Sequence, residues 1–257
     1  MKRYQTNAQL KNLAKDKLTG KFGSAIWALL LVSMVTRAVS GTVIALIPSG
    51  GWFWNIVSIL ITAVISAFLG ILQTGIAYYF LNIACNMKYS SADIFYGFHE
   101  NAEKSVKVSL VHVVLETICL LPFQILMLVF IQNFDYKFLL IAYVAMFIGY
   151  AIMAPFSLAI SQSYYLLLDF PDATAKEVIE TSIRVMKGHK WRLFKLELSF
   201  LPLQFICLLS FGIGNLWLNP YMRMTYTEFF LDLMNPGKQD ASNNYMGTEN
   251  MGQPNNA

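Results

Sequence analysis

The chain has 257 residues, of which 56% are hydrophobic and only 13% charged, with a formal net charge of +4 and a mean hydropathy of +0.49. Soluble chains carry about 25% charged residues, so this composition belongs in a bilayer. It excludes a disulfide-rich secreted scaffold and a disordered regulator, and a nucleic-acid partner is excluded because the basic residues are not gathered on one face.

A membrane-crossing helix needs about 20 mostly apolar residues. Residues 1–21 form a basic, amphipathic cytoplasmic segment in which Leu10, Leu13, Ala14 and Leu18 share a helical face. The first span is expected over 22–48. Ala38-Val39-Ser40 would pass as a signal-peptide cleavage site, but the long leading segment, the adjacent Arg37 and the resumed apolar run favour a retained helix. A second span over 52–85 contains Gly70 and Gly75 but no polar turn, which reads as one long tilted or kinked helix. In the next connection Ser90-Ser91 can cap a short helix carrying Ile94, Phe95 and Phe98.

Spans three and four follow over 105–131 and 138–168. Beyond them, Ala173 to Glu177 begins a third polar helix with Val178, Ile179, Ile183 and Met186 on one face. A fifth span over 193–211 starts with Lys195 and Glu197, and Pro122 and Pro202 are expected to interrupt the third and fifth helices. Each cytoplasmic segment thus has the same design of polar helix, basic junction and span, as in Lys21-Phe22 and Lys190-Trp191. A repeat of this kind calls for a returning partner to the fifth span. The candidate is 215–233, set off by Gly212-Ile213-Gly214; its Arg223, Glu228 and Asp232 leave a surface amphipathic helix as the alternative. The expected fold is therefore an all-α transmembrane bundle of six helices, or five if the last is interfacial, over residues 22–234. The tail 235–257 is polar and expected to be disordered.

Orientation follows from the connections, because Lys- and Arg-rich loops stay in the cytoplasm. Most of the 19 Lys and Arg lie before span one, after span two and after span four, whereas the opposite loops hold only Lys137. The N-terminus is then cytoplasmic, and with six helices the C-terminus is too, in a multi-pass protein of the cell membrane.

Ionisable residues at bilayer depth are costly and point to function. Arg37, His112, Glu116, Glu197 and Arg223 are the candidates. One reading pairs Arg37 with Glu116 along a polar path, with His112 one turn away as a proton-responsive neighbour; the other is a structural ion pair that holds helices together, or a headgroup contact for Arg37. On the cytoplasmic face Lys187, His189, Lys190 and Arg192 are candidates for lipid contact. No phosphate loop, serine elbow or metal-ligand spacing is present, so no catalytic residue, metal or cofactor is expected. Cys85, Cys119 and Cys207 lie in apolar stretches and are expected to remain thiols.

Several runs carry a family likeness: Ser161-Gln162-Ser163-Tyr164-Tyr165, Asp169-Phe170-Pro171, Ser182-Ile183-Arg184-Val185-Met186-Lys187-Gly188-His189-Lys190, Leu193-Phe194-Lys195-Leu196-Glu197-Leu198-Ser199-Phe200, and Gly212-Ile213-Gly214-Asn215-Leu216-Trp217-Leu218-Asn219-Pro220-Tyr221 ahead of Phe229-Phe230-Leu231-Asp232-Leu233. Over about residues 5–234 the chain resembles the bacterial integral membrane family catalogued as domain of unknown function 975. That resemblance implies a multi-helix protein of the cytoplasmic membrane and no particular activity. The stretch from Met186 to Phe194 is also similar to the membrane domain attached to some glycerophosphodiester phosphodiesterases, whose hydrolytic chemistry belongs to a separate domain.

Three functions are compatible with these features. The first is a non-enzymatic membrane protein binding the bilayer's anionic headgroups, a membrane-protein partner or a second copy. The second is a small transporter using the intramembrane Arg and Glu residues. The third is a lipid-headgroup enzyme using His189 with Asp169 or Asp172.

Overall fold

The computed structural model describes residues 4–48, 51–100 and 102–236. Among these the chain is helical and has no strand. The polar tail expected over 235–257 lies, but for its first two residues, outside the described residues. In chain order the helices are α1 (Asn7–Leu18), α2 (Phe22–Leu46), α3 (Gly51–Leu69), α4 (Ile71–Ala84), a 3-10 turn (Ser91–Phe95) running into α5 (Tyr96–His99), α6 (Ala102–Asn133), α7 (Tyr136–Ile160), α8 (Ser163–Asp169), α9 (Ala175–Val185), α10 (Lys190–Leu198), α11 (Leu201–Leu209) and α12 (Asn215–Met234).

Four stretches are long and apolar enough to cross a membrane: Phe22–Leu46, Gly51–Ala84, Ala102–Asn133 and Tyr136–Asp169. They coincide with the first four expected spans. The second is interrupted at Gly70, between α3 and α4, where a Cβ on Gly70 would lie 1.8 Å from the Ser109 hydroxyl oxygen on α6. That hydroxyl donates to the Ser66 carbonyl of α3 at 3.4 Å, which also accepts from the Gly70 N–H at 3.0 Å.

Two expectations about proline separate here. Helix α6 runs through Pro122 without ending, so the third span is not interrupted. The expected fifth span over 193–211 is divided, however, into α10 and α11 of 9 residues each. Pro202 sits in the first turn of α11, where the missing N–H costs least, and Ser199 closes α10 by donating to the Leu196 carbonyl at 2.6 Å. Helix α12 is buried over its second half. Its Met224, Thr225 and every residue from Thr227 to Leu233 are buried, Glu228 and Asp232 included.

The chain folds as two compact units. One unit comprises Met1–Val39, Leu72–Glu100 and Trp191–Ala257. In it Leu10, Ala14 and Leu18, spaced four apart on α1, are fully buried, and α1 packs on α12. Helix α4 supplies Tyr79, Phe80 and Ile83 to the same core. The 3-10 turn lies on α4 at backbone contact, because Gly75 has no side chain to hold off the Ile94 carbonyl, and Tyr96 stacks on Tyr78 at 3.9 Å. The other unit comprises Ser40–Ile71 and Asn101–Lys190. In it α6 packs along α7 and α3, and α9 packs on α8, α7 and α6. Buried Ser182 of α9 donates to the Ala159 carbonyl at 2.9 Å.

The repeat expected from the sequence has a clear local counterpart. The three polar segments all begin with a capping box, in which a Ser or Thr hydroxyl and a side chain three residues on satisfy reciprocal backbone N–H groups: Thr6 with Gln9, Ser90 with Asp93, and Thr174 with Glu177. The packing also recurs. The second polar segment lies on α4, the helix that precedes it, and the third lies on α8, the helix that precedes it. The first has no predecessor in the chain and lies instead on α12, the last helix.

Candidate functional site

The candidates on the basic junctions divide once their surroundings are known. Lys187 is exposed, while His189 and Lys190 are half-buried. Arg192 differs from all three. Its guanidinium forms an ion pair with the carboxylate of Asp232, whose side chain is 1% exposed. The same nitrogen donates to the Gln5 carbonyl at 2.9 Å, and the guanidinium carbon lies 4.8 Å from the Phe229 ring centre and 5.2 Å from that of Tyr4. Asp232 in turn accepts from the Gln5 N–H at 3.2 Å. Arg192 is thus a clamp joining the residues before α1, the start of α10 and the end of α12, and not a lipid-facing charge as its sequence position suggests.

Lys11 is turned inward in the same way. Its ammonium donates to the Ser199 carbonyl at 2.9 Å and sits 4.0 Å from the Phe200 ring centre. It covers a carbonyl left open where α10 ends, and burial pulls its pKa down from the usual lysine value. Lys21, 5.3 Å from the Tyr89 ring centre, is lowered by burial and by the nearby charge of Lys17.

Arg37 and Arg223 come together. Both line a cavity of about 330 Å3 within the first unit, with Ser33 and Thr36 from α2, Gln73 from α4 and Asn219 from α12. Glu116 belongs to the other unit. It lines a different cavity, of about 490 Å3, with Asn55, Ser58, Thr62 and Ser66 along one face of α3 and Thr117 and Gln124 on α6. The Gln124 side-chain oxygen there is buried without a hydrogen-bond partner. Arg37 and Glu116 thus line separate cavities, each within its own unit. His112 is held by its own surroundings: its Nδ1 lies 3.1 Å from the Val108 carbonyl and its ring stacks on Tyr164 at 5.5 Å. Glu197 is exposed on α10.

The signal for the clamp was partly present, since Asp232 is a carboxylate near the end of an apolar stretch and Arg192 a cation near the start of one. Nothing in the sequence connects them to Gln5, 227 positions from Asp232. Gln73 and Asn219, neutral and unremarkable in sequence, become cavity residues only through the packing of their helices. Among the described residues no group of three or more His, Cys, Asp or Glu is arranged to hold a metal, and Cys85, Cys119 and Cys207 are free thiols.

These features define an all-helical protein with four helices long and apolar enough to cross a membrane, compatible with a membrane protein. The chain belongs to the family described as "Protein of unknown function (DUF975)", whose model matches residues 1–236. No curated protein and no solved structure matches it.

Proposed function

We propose that the chain crosses the cell membrane six times, as three helical hairpins with both ends cytoplasmic, and that it binds anionic lipid at its cytoplasmic face without catalysing a reaction. The clamp supports the third hairpin. Because Arg192 opens α10 and Asp232 closes α12, the chain leaves one level through α10 and α11 and returns to it through α12. The 20 residues of α12 give a rise of about 30 Å, the thickness of the hydrocarbon core. Phe205, Leu208 and Leu209 of α11 are exposed, as lipid-facing residues would be.

The observation that carries lipid binding is the mixture of exposed cations and aromatics on the connecting segments. Lys187 and Arg184 are exposed. Trp191 is 63% exposed, stacked on Phe194 with the Lys195 ammonium over its ring. Phe95 and Phe98 are exposed on the second segment. Aromatic rings at headgroup level and cations worth about 1 kcal/mol each toward an anionic surface make such a segment lipid-selective. The test is quenching of tryptophan fluorescence by brominated lipid in vesicles of mixed phosphatidylglycerol and phosphatidylcholine. Lys187→Gln with Lys190→Gln should reduce the preference for phosphatidylglycerol and its salt dependence; an unchanged preference refutes the reading.

A second reading, a proton- or cation-coupled transporter, is favoured by the Glu116 cavity. Its one carboxylate faces a ladder of hydroxyls, and the unpartnered Gln124 oxygen offers a further acceptor. Reconstituted Glu116→Gln protein should lose a pH-gradient-driven flux while remaining folded. Full activity in that variant removes the reading.

A further inference from the structure

The Arg37–Arg223 cavity is built unlike the Glu116 one. Its two guanidinium groups come from different helices, each one turn from a polar neighbour on its own helix: Ser33 before Arg37 on α2 and Asn219 before Arg223 on α12. Thr36 and Gln73 complete the polar lining, and no Asp or Glu contributes to it. Among the described residues neither arginine carries an ion pair, in contrast to Arg192 with its carboxylate. Both arginine side chains are exposed rather than packed away. Two like charges directed to one small cavity repel, and among the described residues its lining holds nothing of opposite sign to relieve them.

We infer that this cavity binds a phosphate-type oxyanion, carried by a lipid headgroup or free in solution. An oxyanion is the missing charge, and the donor inventory favours phosphate over carboxylate. Each guanidinium presents a planar fork of N–H groups suited to paired oxygens, and two hydroxyls and two amides add donors beyond what the two oxygens of a carboxylate can accept. Val32 and Ile76 form part of the wall, so an apolar body attached to the phosphate has a surface to lie against. A cavity of about 330 Å3 is at the small end of ligand sites and suits a headgroup rather than a large solute.

The full chain, purified in a non-ionic detergent, is titrated calorimetrically with three probes: dioctanoyl phosphatidic acid, inorganic phosphate and dioctanoyl phosphatidylcholine. Saturable binding of phosphatidic acid alone assigns a lipid headgroup, and saturable binding of inorganic phosphate assigns a free oxyanion. Arg37→Gln and Arg223→Gln should each weaken the bound probe by about tenfold or more, with circular dichroism and elution volume unchanged. If either variant fails to fold, Arg37→Lys and Arg223→Lys keep the charge but lose the fork, and each should still weaken binding. In a Lys187→Gln, Lys190→Gln background the weakening caused by Arg37→Gln and by Arg223→Gln should persist, which separates the cavity from the lipid preference of the cytoplasmic segments. The inference is overturned if neither phosphatidic acid nor phosphate binds, if phosphatidylcholine binds as tightly as phosphatidic acid, or if the arginine variants bind normally.

Discussion

Alanine at Gly75 would place a methyl carbon 1.7 Å from the Ile94 carbonyl oxygen and 2.4 Å from its carbonyl carbon. Ordinary contact begins at 3.4 Å, and the opposing atoms are backbone, so no rotamer change can relieve the clash. The segment after Ser90 would have to retreat from α4 by about as much again. That movement would open the Tyr78–Tyr96 stack and lengthen the 3.4 Å contact between the Asn82 amide and the Asp93 carboxylate. Overpacking of this severity costs about 3 kcal/mol or more, against which alanine returns about 1 kcal/mol of helix propensity in α4. The net loss of about 2 kcal/mol or more should lower the midpoint of thermal unfolding by roughly 4–8 °C for a chain of this size. Heating the detergent-solubilised protein in steps and following the surviving monodisperse peak on a sizing column measures this. The control is Gly23→Ala on α2, where nothing lies within 4 Å of the added carbon and the midpoint should hold or rise. If Gly75→Ala melts with the wild type, the 3-10 segment does not lie on α4 as described.

The clamp makes a second prediction in the same assay: Asp232→Asn should destabilise by about 3–5 kcal/mol, because it strands Arg192, and the double change Arg192→Met with Asp232→Leu should lose much less. At the start of α9, Thr174→Ala should cost about 1 kcal/mol. The capping hydrogen bonds from the Thr174 backbone and hydroxyl hold the Glu177 carboxyl below its usual value of 4.5; a depressed acid stabilises the fold above pH 4.5 and loses that contribution as pH falls through its folded value. Since Glu177 is exposed the effect is confined to the first turn of α9, and Glu177→Gln should abolish the acid-dependent part of amide exchange there; identical profiles refute the cap. Finally, a tag placed after Ala257 should be protected from protease in intact cells and cut after lysis, while cutting in intact cells leaves an odd number of crossings.

The sequence is most legible where one helix is considered alone. Apolar run lengths place the first four spans, and the Ser90 and Thr174 starts announce their caps. The Thr6–Gln9 box is the same signal at the first segment, hidden by the basic residues around it. What sequence does not carry is rotation about a helix axis and choice of neighbour. Arg37 and Glu116 stand out in the sequence as opposite charges in apolar runs, and only the structure shows that α2 turns Arg37 toward Gln73 and Asn219 while α6 turns Glu116 toward the hydroxyls of α3. Similarly, the polarity of 215–233 leaves both a span and a surface helix open in the sequence. Its Asp232 is polar because Arg192 needs a carboxylate inside the unit.

The docking of α1 on α12 sets a schedule for biogenesis. The contacts of Gln5 with Asp232 bridge 227 positions, so at about 5–20 residues per second a ribosome needs roughly 10 to 45 seconds between making the first partner and the last. Over that interval Leu10, Ala14 and Leu18 have no α12 to cover them. The unit formed by Ser40–Ile71 and Asn101–Lys190 has all its residues earlier and can assemble meanwhile. A chain halted before α12 would therefore contain every residue of the second unit while the apolar face of α1 stayed uncovered.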